Sequence, residues 1–452
     1  MTSETPDGVR PAPTLRECLP TWLRVAAYSF GGPAGQIAVM QRLIVDEKRW
    51  LSQNRFLHAL SFCMLLPGPE AQQLATYVGW LMHRWRGALL ADGLFVLPGF
   101  LSILALSVLY ALFRGAGAVE GLFFGIKPAV LAIVVEALVR IGRRAIRSRR
   151  MVAVGCAAFI AIFVFDAPFP LIILSAALLG AWSERIAPGS FGDPALATDS
   201  PRSDPGGEPP GAIPAIRRLA GTIALWLAIW WGPVLFLIAV FGPGHVLVAE
   251  ALFFSKAAVV TFGGAYAVLA YIAQQAVDVF AWLQPGEMLD GLGMAETTPG
   301  PLIQVVQFVG FMGAYRNPGS LDPLTAAILG SIVTTWVTFA PCFLWILAAA
   351  PWVEMLRGRR MITGALGAIT AAVVGVILNL SVWFSIHTLF AETRMVTESG
   401  IRLEIPVWHT LRPGAALVAL LAVYLLFRVR AGMFVTLAVT ATAGILWTYI
   451  GG

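Results

Sequence analysis

Ser29-Phe30-Gly31-Gly32-Pro33 and Thr261-Phe262-Gly263-Gly264-Ala265 are one pattern written twice, 232 residues apart, and each interrupts an apolar run. Pro67-Gly68-Pro69 and Pro299-Gly300-Pro301 recur at the same offset, as do Gln72 with Gln304 and Arg24 with Lys256. Two tripeptides, a glutamine and a cation do not fall into one register by chance, so the chain is an internal duplication. Pro has no N–H and clashes with the preceding helical turn, while Gly admits backbone angles closed to other residues. Each motif therefore breaks the helix it sits in.

The surroundings of these breaks are those of a membrane. Of 452 residues, 58% are hydrophobic and 12% charged, half the roughly 25% charge of a soluble chain. Runs such as 89–113 and 325–350 are long enough to cross a bilayer core of about 30 Å as helices. No series of alternating ten-residue segments suggests a β-barrel. The expected fold is an all-α polytopic membrane protein with two homologous six-segment halves and broken helices. Residues 1–20 form a polar N-terminal segment without the apolar core of a cleavable signal. Residues 21–183 make the first repeat and 184–219, rich in Pro, Gly, Ser and Asp, a disordered cytoplasmic linker. Residues 220–245 make a linking transmembrane helix and 246–452 the second repeat.

One linking helix between two six-segment halves inverts the second half relative to the first. The arginines agree. Arg140, Arg143, Arg144, Arg147, Arg149 and Arg150 follow the fourth segment of half one, whereas Arg357, Arg359 and Arg360 precede the fourth of half two. Both blocks lie in the cytoplasm only if equivalent helices run in opposite directions. Arg42, Lys48, Arg49 and Arg55 fall outside in this scheme, a conflict that a re-entrant first segment would remove.

Inverted repeats of interrupted helices place a substrate near the midplane where the halves meet. A half-helix N-terminus freed by a break is partially positive and binds an oxyanion through its N–H groups. The expected substrate-binding set is Arg24, Ser29, Gly31, Gly32, Pro67, Gly68, Pro69, Gln72, Lys256, Thr261, Gly263, Gly264, Thr298, Pro299, Gly300, Pro301 and Gln304. Ser29, Thr261, Thr297 and Thr298 offer hydroxyl donors; Arg24 and Lys256 offer counter-charges, with snorkelling to the headgroups as the plainer alternative. Glu70 and Glu296 flank the Pro-Gly-Pro motifs as proton-coupling candidates, or equally as helix caps or a partner for Lys256. Gly and Pro also serve membrane helices as kinks and close-packing points, but four breaks paired by the repeat favour a site.

Other classes fit less well. The net charge of +6 sits in arginines between apolar runs, which argues against nucleic acid. The five histidines form no paired ligand spacing, no Gly-Lys dipeptide offers a Walker A loop, and the four cysteines form no CxxC. No enzyme, metal or cofactor is expected; a channel remains as the alternative.

The runs Ser29–Pro33, Leu66-Pro67-Gly68-Pro69-Glu70-Ala71-Gln72-Gln73-Leu74-Ala75, Lys256 before Thr261–Gly264, and Thr298–Pro301 together resemble the chromate ion transporter family in its long, two-domain form. The resemblance covers nearly the whole chain. It implies a secondary active transporter in the bacterial inner membrane that exports chromate, driven by the proton motive force, and so confers chromate resistance. An oxyanion channel or a sulfate-type carrier is the alternative. The implied partners are a small oxyanion and the lipid bilayer, with a homodimer left open. Ala265, where the first half has Pro33, leaves the two breaks non-identical.

Overall fold

A computed structural model describes residues 13–30, 32–115, 117–187, 189, 191, 216–262, 265–349, 360–398 and 401–450. Gly31, Gly263, Gly264, Arg357, Arg359 and most of the expected linker lie outside these residues. The first half holds α1 (Leu15–Tyr28), α2 (Gly32–Met40, extended by a π-helical turn to Glu47), α3 (Gln53–Cys63) and α4 (Glu70–Phe113). It continues with α5 (Gly117–Ala145), α6 (Arg149–Phe165) and α7 (Phe169–Ile186). After α8 (Ile216–Phe241) come α9 (Val246–Val260), α10 (Ala265–Gln274, extended to Val279), α11 (Glu287–Thr297) and α12 (Val305–Arg316). The chain ends with α13 (Pro323–Ala349), α14 (Arg360–Leu389), a two-stranded antiparallel hairpin (Thr393–Glu398 and Ile401–Pro406), α15 (Pro413–Val423) and α16 (Met433–Tyr449). Among the described residues, six helices are long and apolar enough to cross a membrane. Their outer faces carry exposed leucines, among them Leu171, Leu174 and Leu178 of α7, as lipid contact requires.

The first two apolar segments of each half do not cross; they turn back. In half two, Arg316 at the end of α12 donates two 2.8 Å hydrogen bonds to Glu287 at the start of α11. The segment therefore leaves and returns to one end of the molecule, with Pro299-Gly300-Pro301 at its tip. In half one, Phe62 and Tyr77, either side of the first Pro-Gly-Pro, pack with centroids 4.7 Å apart. Phe30 and Phe262 sit at similar tips: Arg24 of α1 meets Glu47 at 3.2 Å, and Phe253 of α9 meets Tyr271 of α10 at 5.5 Å. Helix α4 itself folds back at His83 and Arg84, where φ is −139° and +53°. Gly79 and Gly87 then face each other with no room for a Cβ, and Gln72 reaches Asp92. The six segments of each half are thus two re-entrant hairpins followed by four further segments.

The halves are inverted. Three-residue connections at 146–148 and 166–168 make α5, α6 and α7 alternate in direction, so α5 and α7 are co-directional. Gly364 of α14 sits against Gly180 and Glu184 of α7, and Ala368 against Gly180, so α14 runs antiparallel to α7. It therefore also runs antiparallel to α5, its equivalent. The same small-residue contact appears between the other two partners: Gly121 beside Gly444 and Ile445, and Gly125 beside Thr440. Close backbone approach through small residues is how membrane helices gain packing energy without a hydrophobic drive.

Re-entrance also resolves the charge conflict. With the first-half hairpins turning back, Arg42, Lys48, Arg49 and Arg55 share one end with Arg84, Arg86, the 140–150 block, Arg360, Arg428 and Arg430. The second-half hairpins open at the opposite end, beside the β-hairpin.

Candidate functional site

The four tips meet in the middle of the molecule and bind one another reciprocally. The Gly68 N–H donates to the Thr261 carbonyl at 2.8 Å, and the Gly300 N–H donates to the Ser29 carbonyl at 3.1 Å. These two bonds are related by the 232-residue offset, so a local pseudo-two-fold axis passes between them. Gly68 and Gly300 have φ of +133° and +109°, a region that residues with a Cβ rarely enter. A Cβ on Gly68 would come within 2.9 Å of the Cys342 sulfur; one on Gly300 would come within 3.3 Å of the Phe95 carbonyl. These glycines are therefore dictated by conformation and by space.

Beyond each glycine a new half-helix begins behind Pro69 or Pro301, both extended and neither supplying a side-chain cap. The first amides of α4, at Glu70, Ala71 and Gln72, and those of Leu302 and Ile303 ahead of α12 have no partner among the described residues. Helix starts leave such donors unsatisfied by construction. Ala71, Gln72, Leu302 and Ile303 are buried and Glu70 is half-buried, so each repeat contributes one such helix start behind its tip.

The side chains around them divide. Gln72 is fully buried and donates to Thr76 and Asp92, the Thr76 hydroxyl lying 3.0 Å from Asp92. Gln304 donates to Gln307 at 2.8 Å and Thr335 at 3.3 Å. The amide oxygens of Gln36, Gln72, Gln73 and Gln304 are all buried without a partner among the described residues. Since amide oxygen and nitrogen are interchangeable in such assignments, these four side chains form a reserve of polar atoms around the tips. Glu296 accepts a 2.6 Å hydrogen bond from Tyr266, whose hydroxyl borders Gly32 at the tip of the first half. Glu70 opens α4, half-buried in the first turn, where the helix dipole favours an acid. The Glu136–Arg140 pair of α5, 3.2 Å apart, lies within electrostatic range of Glu296.

Several expected contributors face elsewhere. The Ser29 and Thr261 hydroxyls donate back to the Val25 and Ala257 carbonyls at 2.6 and 2.7 Å, and that of Thr298 turns to Ala295 at 3.4 Å. They close helix ends and present no free hydrogen to a ligand. Arg24 and Lys256 are exposed; Arg24 pairs with Glu47, and Lys256 joins Leu252 and Val259 on the outer stripe of α9. The reason is geometric. Five residues separate each cation from Ser29 or Thr261, a rotation of about 140° at 3.6 residues per turn, which points the cation away from the tips.

Sequence reasoning missed three groups: the buried Gln36, which donates to the Gly300 carbonyl at 2.6 Å, Gln73, which holds the Pro67 carbonyl at 2.7 Å, and Asp92. A polar residue inside an apolar run was the available signal. It also missed an ionic cluster at the base of the α11–α12 hairpin. Glu287, wholly buried, binds Arg114 and Arg316, while Asp290 accepts from Tyr110 at 2.7 Å and lies 3.3 Å from Lys127.

Inverted repeats whose broken, re-entrant helices meet tip to tip around uncapped amides define a membrane transporter. The chromate transporter family profile matches residues 17–181 and 248–445, one block in each half. The chain belongs to that family. It is 31% identical over 383 residues to the chromate transport protein of Pseudomonas aeruginosa, covering 83% of this chain and 82% of the relative. It is 27% identical over 368 residues to that of Cupriavidus metallidurans, covering 81% and 82%. It is 27% identical over 369 residues to the probable chromate transport protein of Synechococcus elongatus, covering 82% and 84%. No solved structure matches the chain significantly.

Proposed function

We propose that this protein exports chromate across the inner membrane in exchange for protons, with the arginine-rich end in the cytoplasm. The observation that carries this reading is the reciprocal pairing of the four tips around two uncapped half-helix starts. A tetrahedral dianion suits such a place, because N–H groups and two partially positive helix ends stabilise it without a dedicated cation. The amides at 70–72 and 302–303 and the side chains of Gln72 and Gln304 are its ligands; Gly68, Gly300 and the flanking prolines hold them in place. Ser29 and Thr261 contribute through their carbonyls, which tie the tips together, and Arg24 and Lys256 take no part. Hairpins from opposite ends enclose the site, so rocking of one repeat against the other opens it to one side at a time. Glu296, beside the tips, is placed to exchange a proton as the anion binds or leaves, and Glu70, on the other side of its own Pro-Gly-Pro, is the second candidate.

The test is uptake of labelled chromate into everted vesicles, with labelled sulfate in parallel. Saturable chromate uptake that collapses with an uncoupler is expected. Uptake no greater than in vesicles lacking the protein would sink the reading, and non-saturating, gradient-independent anion current would replace it with a channel.

A further inference from the structure

Glu250 of α9 is wholly buried, and neither carboxyl oxygen has a hydrogen-bond partner among the described residues. Two glycines make its space. A Cβ on Gly313 of α12 would lie 2.8 Å from Oε1, and one on Gly330 of α13 would lie 3.0 Å from Oε2. Trp282 covers the same spot, its ring also pressed on Gly313. The ionisable neighbours are engaged or turned away. Arg316 of α12 is bound to Glu287 and the Trp282 carbonyl. Asp322, in the α12–α13 connection, caps α13 at 3.1 Å, and Lys256 faces outward from α9. Helix α13 carries no acid or base beyond Cys342. His245 caps α9 by accepting the Leu247 N–H on Nδ1 at 3.3 Å; its Nε2, buried and without a partner, faces Gly319 of the same connection.

A carboxylate wholly buried, with only the backbone N–H of Ala314 in α12 and no cation facing it among the described residues, costs far more than the neutral acid, and ionisable groups at such depth mark ion and proton paths by default. The first-half equivalent of Glu250 is Cys18, also buried. Only one repeat therefore has a protonatable carboxyl here.

We propose that Glu250 is a proton-binding site of the transport cycle. Its carboxylate takes a proton from the end where α9 begins, past His245, and becomes the neutral acid seated between Gly313 and Gly330. It releases that proton when the α11–α12 hairpin and α13 part. This rests on the transport reading above and adds to it a residue and a side of uptake.

Glu250→Gln fixes the neutral form. In proteoliposomes, gradient-driven chromate uptake should fall at least about tenfold, because the proton no longer cycles, while chromate–chromate exchange without a gradient stays within about twofold. Retention of both modes, or loss of both, overturns the proposal. If the glutamine variant does not assemble, Glu250→Asp takes its place: a carboxyl one methylene shorter should still couple, with a shifted pH dependence, and an unchanged pH profile overturns the proposal. Absence of flux in the wild-type protein would instead defeat the transport reading, which separates the two failures.

Discussion

The bases of the two Pro-Gly-Pro hairpins occupy equivalent places and are built from opposite chemistry. In half two, Glu287, Asp290 and Arg316 lock α11 to α12, with Arg114 and Lys127 completing a buried ionic cluster. At the same offset half one has Arg55, His58 and Arg84, and Arg84 stacks over Trp80 at 5.1 Å. One mouth is closed by paired charge; the other is a cationic rim. The tips, by contrast, match to the level of individual backbone bonds. The difference teaches that the repeat keeps its tips alike and leaves each mouth free to differ, which under the proposed export would let one face attract a dianion and the other release it.

The strongest way to break this comparison is to exchange the charges. Glu287→Gln strips a buried partner from Arg114 and Arg316, both partly exposed, and should cost roughly 3 kcal/mol of stability. Arg55→Gln, on the exposed rim, should change stability by less than about 0.5 kcal/mol. Thermal unfolding in detergent distinguishes them, and equal shifts would erase the asymmetry. Symmetry at the tips is tested next by Gly68→Ala and Gly300→Ala. Each forces an L-residue to positive φ, a strain of about 1–3 kcal/mol, and should lower chromate flux roughly tenfold or more. Gly68→Ala should be the worse of the two, since its Cβ meets closer atoms.

The hairpin between α14 and α15 has no first-half equivalent, because α5 and α6 are joined by three residues. Glu404 on its second strand meets His387 of α14 at 3.1 Å. Burial raises the Glu404 carboxyl, but hydrogen bonds from His387 and Thr393 and the His387 charge outweigh it and hold it below its ordinary value. A lowered folded-state value means stabilisation that is present above the usual carboxylate range and lost as pH falls through the folded value. Glu404→Gln should therefore cost roughly 1 kcal/mol near neutrality. That difference should shrink below about pH 4; unfolding curves that stay parallel down to acid pH would overturn the Glu404–His387 contact as a stabilising tie. Smallest of all, Lys256→Gln and Ser29→Ala should leave chromate flux within about twofold, because one faces outward and the other bonds its own helix. A severe loss in Lys256→Gln would return the cations to the site.

The breaks and the duplication were legible because Gly and Pro are conspicuous in apolar runs, and inversion followed from an odd helix and the arginine blocks. Re-entrance was legible only as a remedy for the misplaced Arg42, Lys48, Arg49 and Arg55. The segments 22–44 and 56–82 are as long as a true crossing, and tertiary contacts such as Arg24–Glu47 and Phe62–Tyr77 reveal that they return. The bonds from Gly68 and Gly300 were invisible because backbone groups carry no residue code. Arg24 and Lys256 misled because pairing by repeat says nothing of the helix face, although a five-residue spacing from the hydroxyls already turned them away. Glu250 stood in plain sight inside an apolar segment.

The reciprocal bonds between tips also impose an order on the birth of the molecule. Gly68 finds its acceptor only when Thr261 has been made, and Ser29 waits for Gly300. Those partners emerge 193 and 271 residues later (261 − 68 and 300 − 29), which at about 5–20 residues per second is roughly 10–50 s of synthesis. Throughout that interval the first-made half stands in the bilayer with unpaired amides and carbonyls at its centre. Its completion is set by the ribosome rather than by its own folding rate.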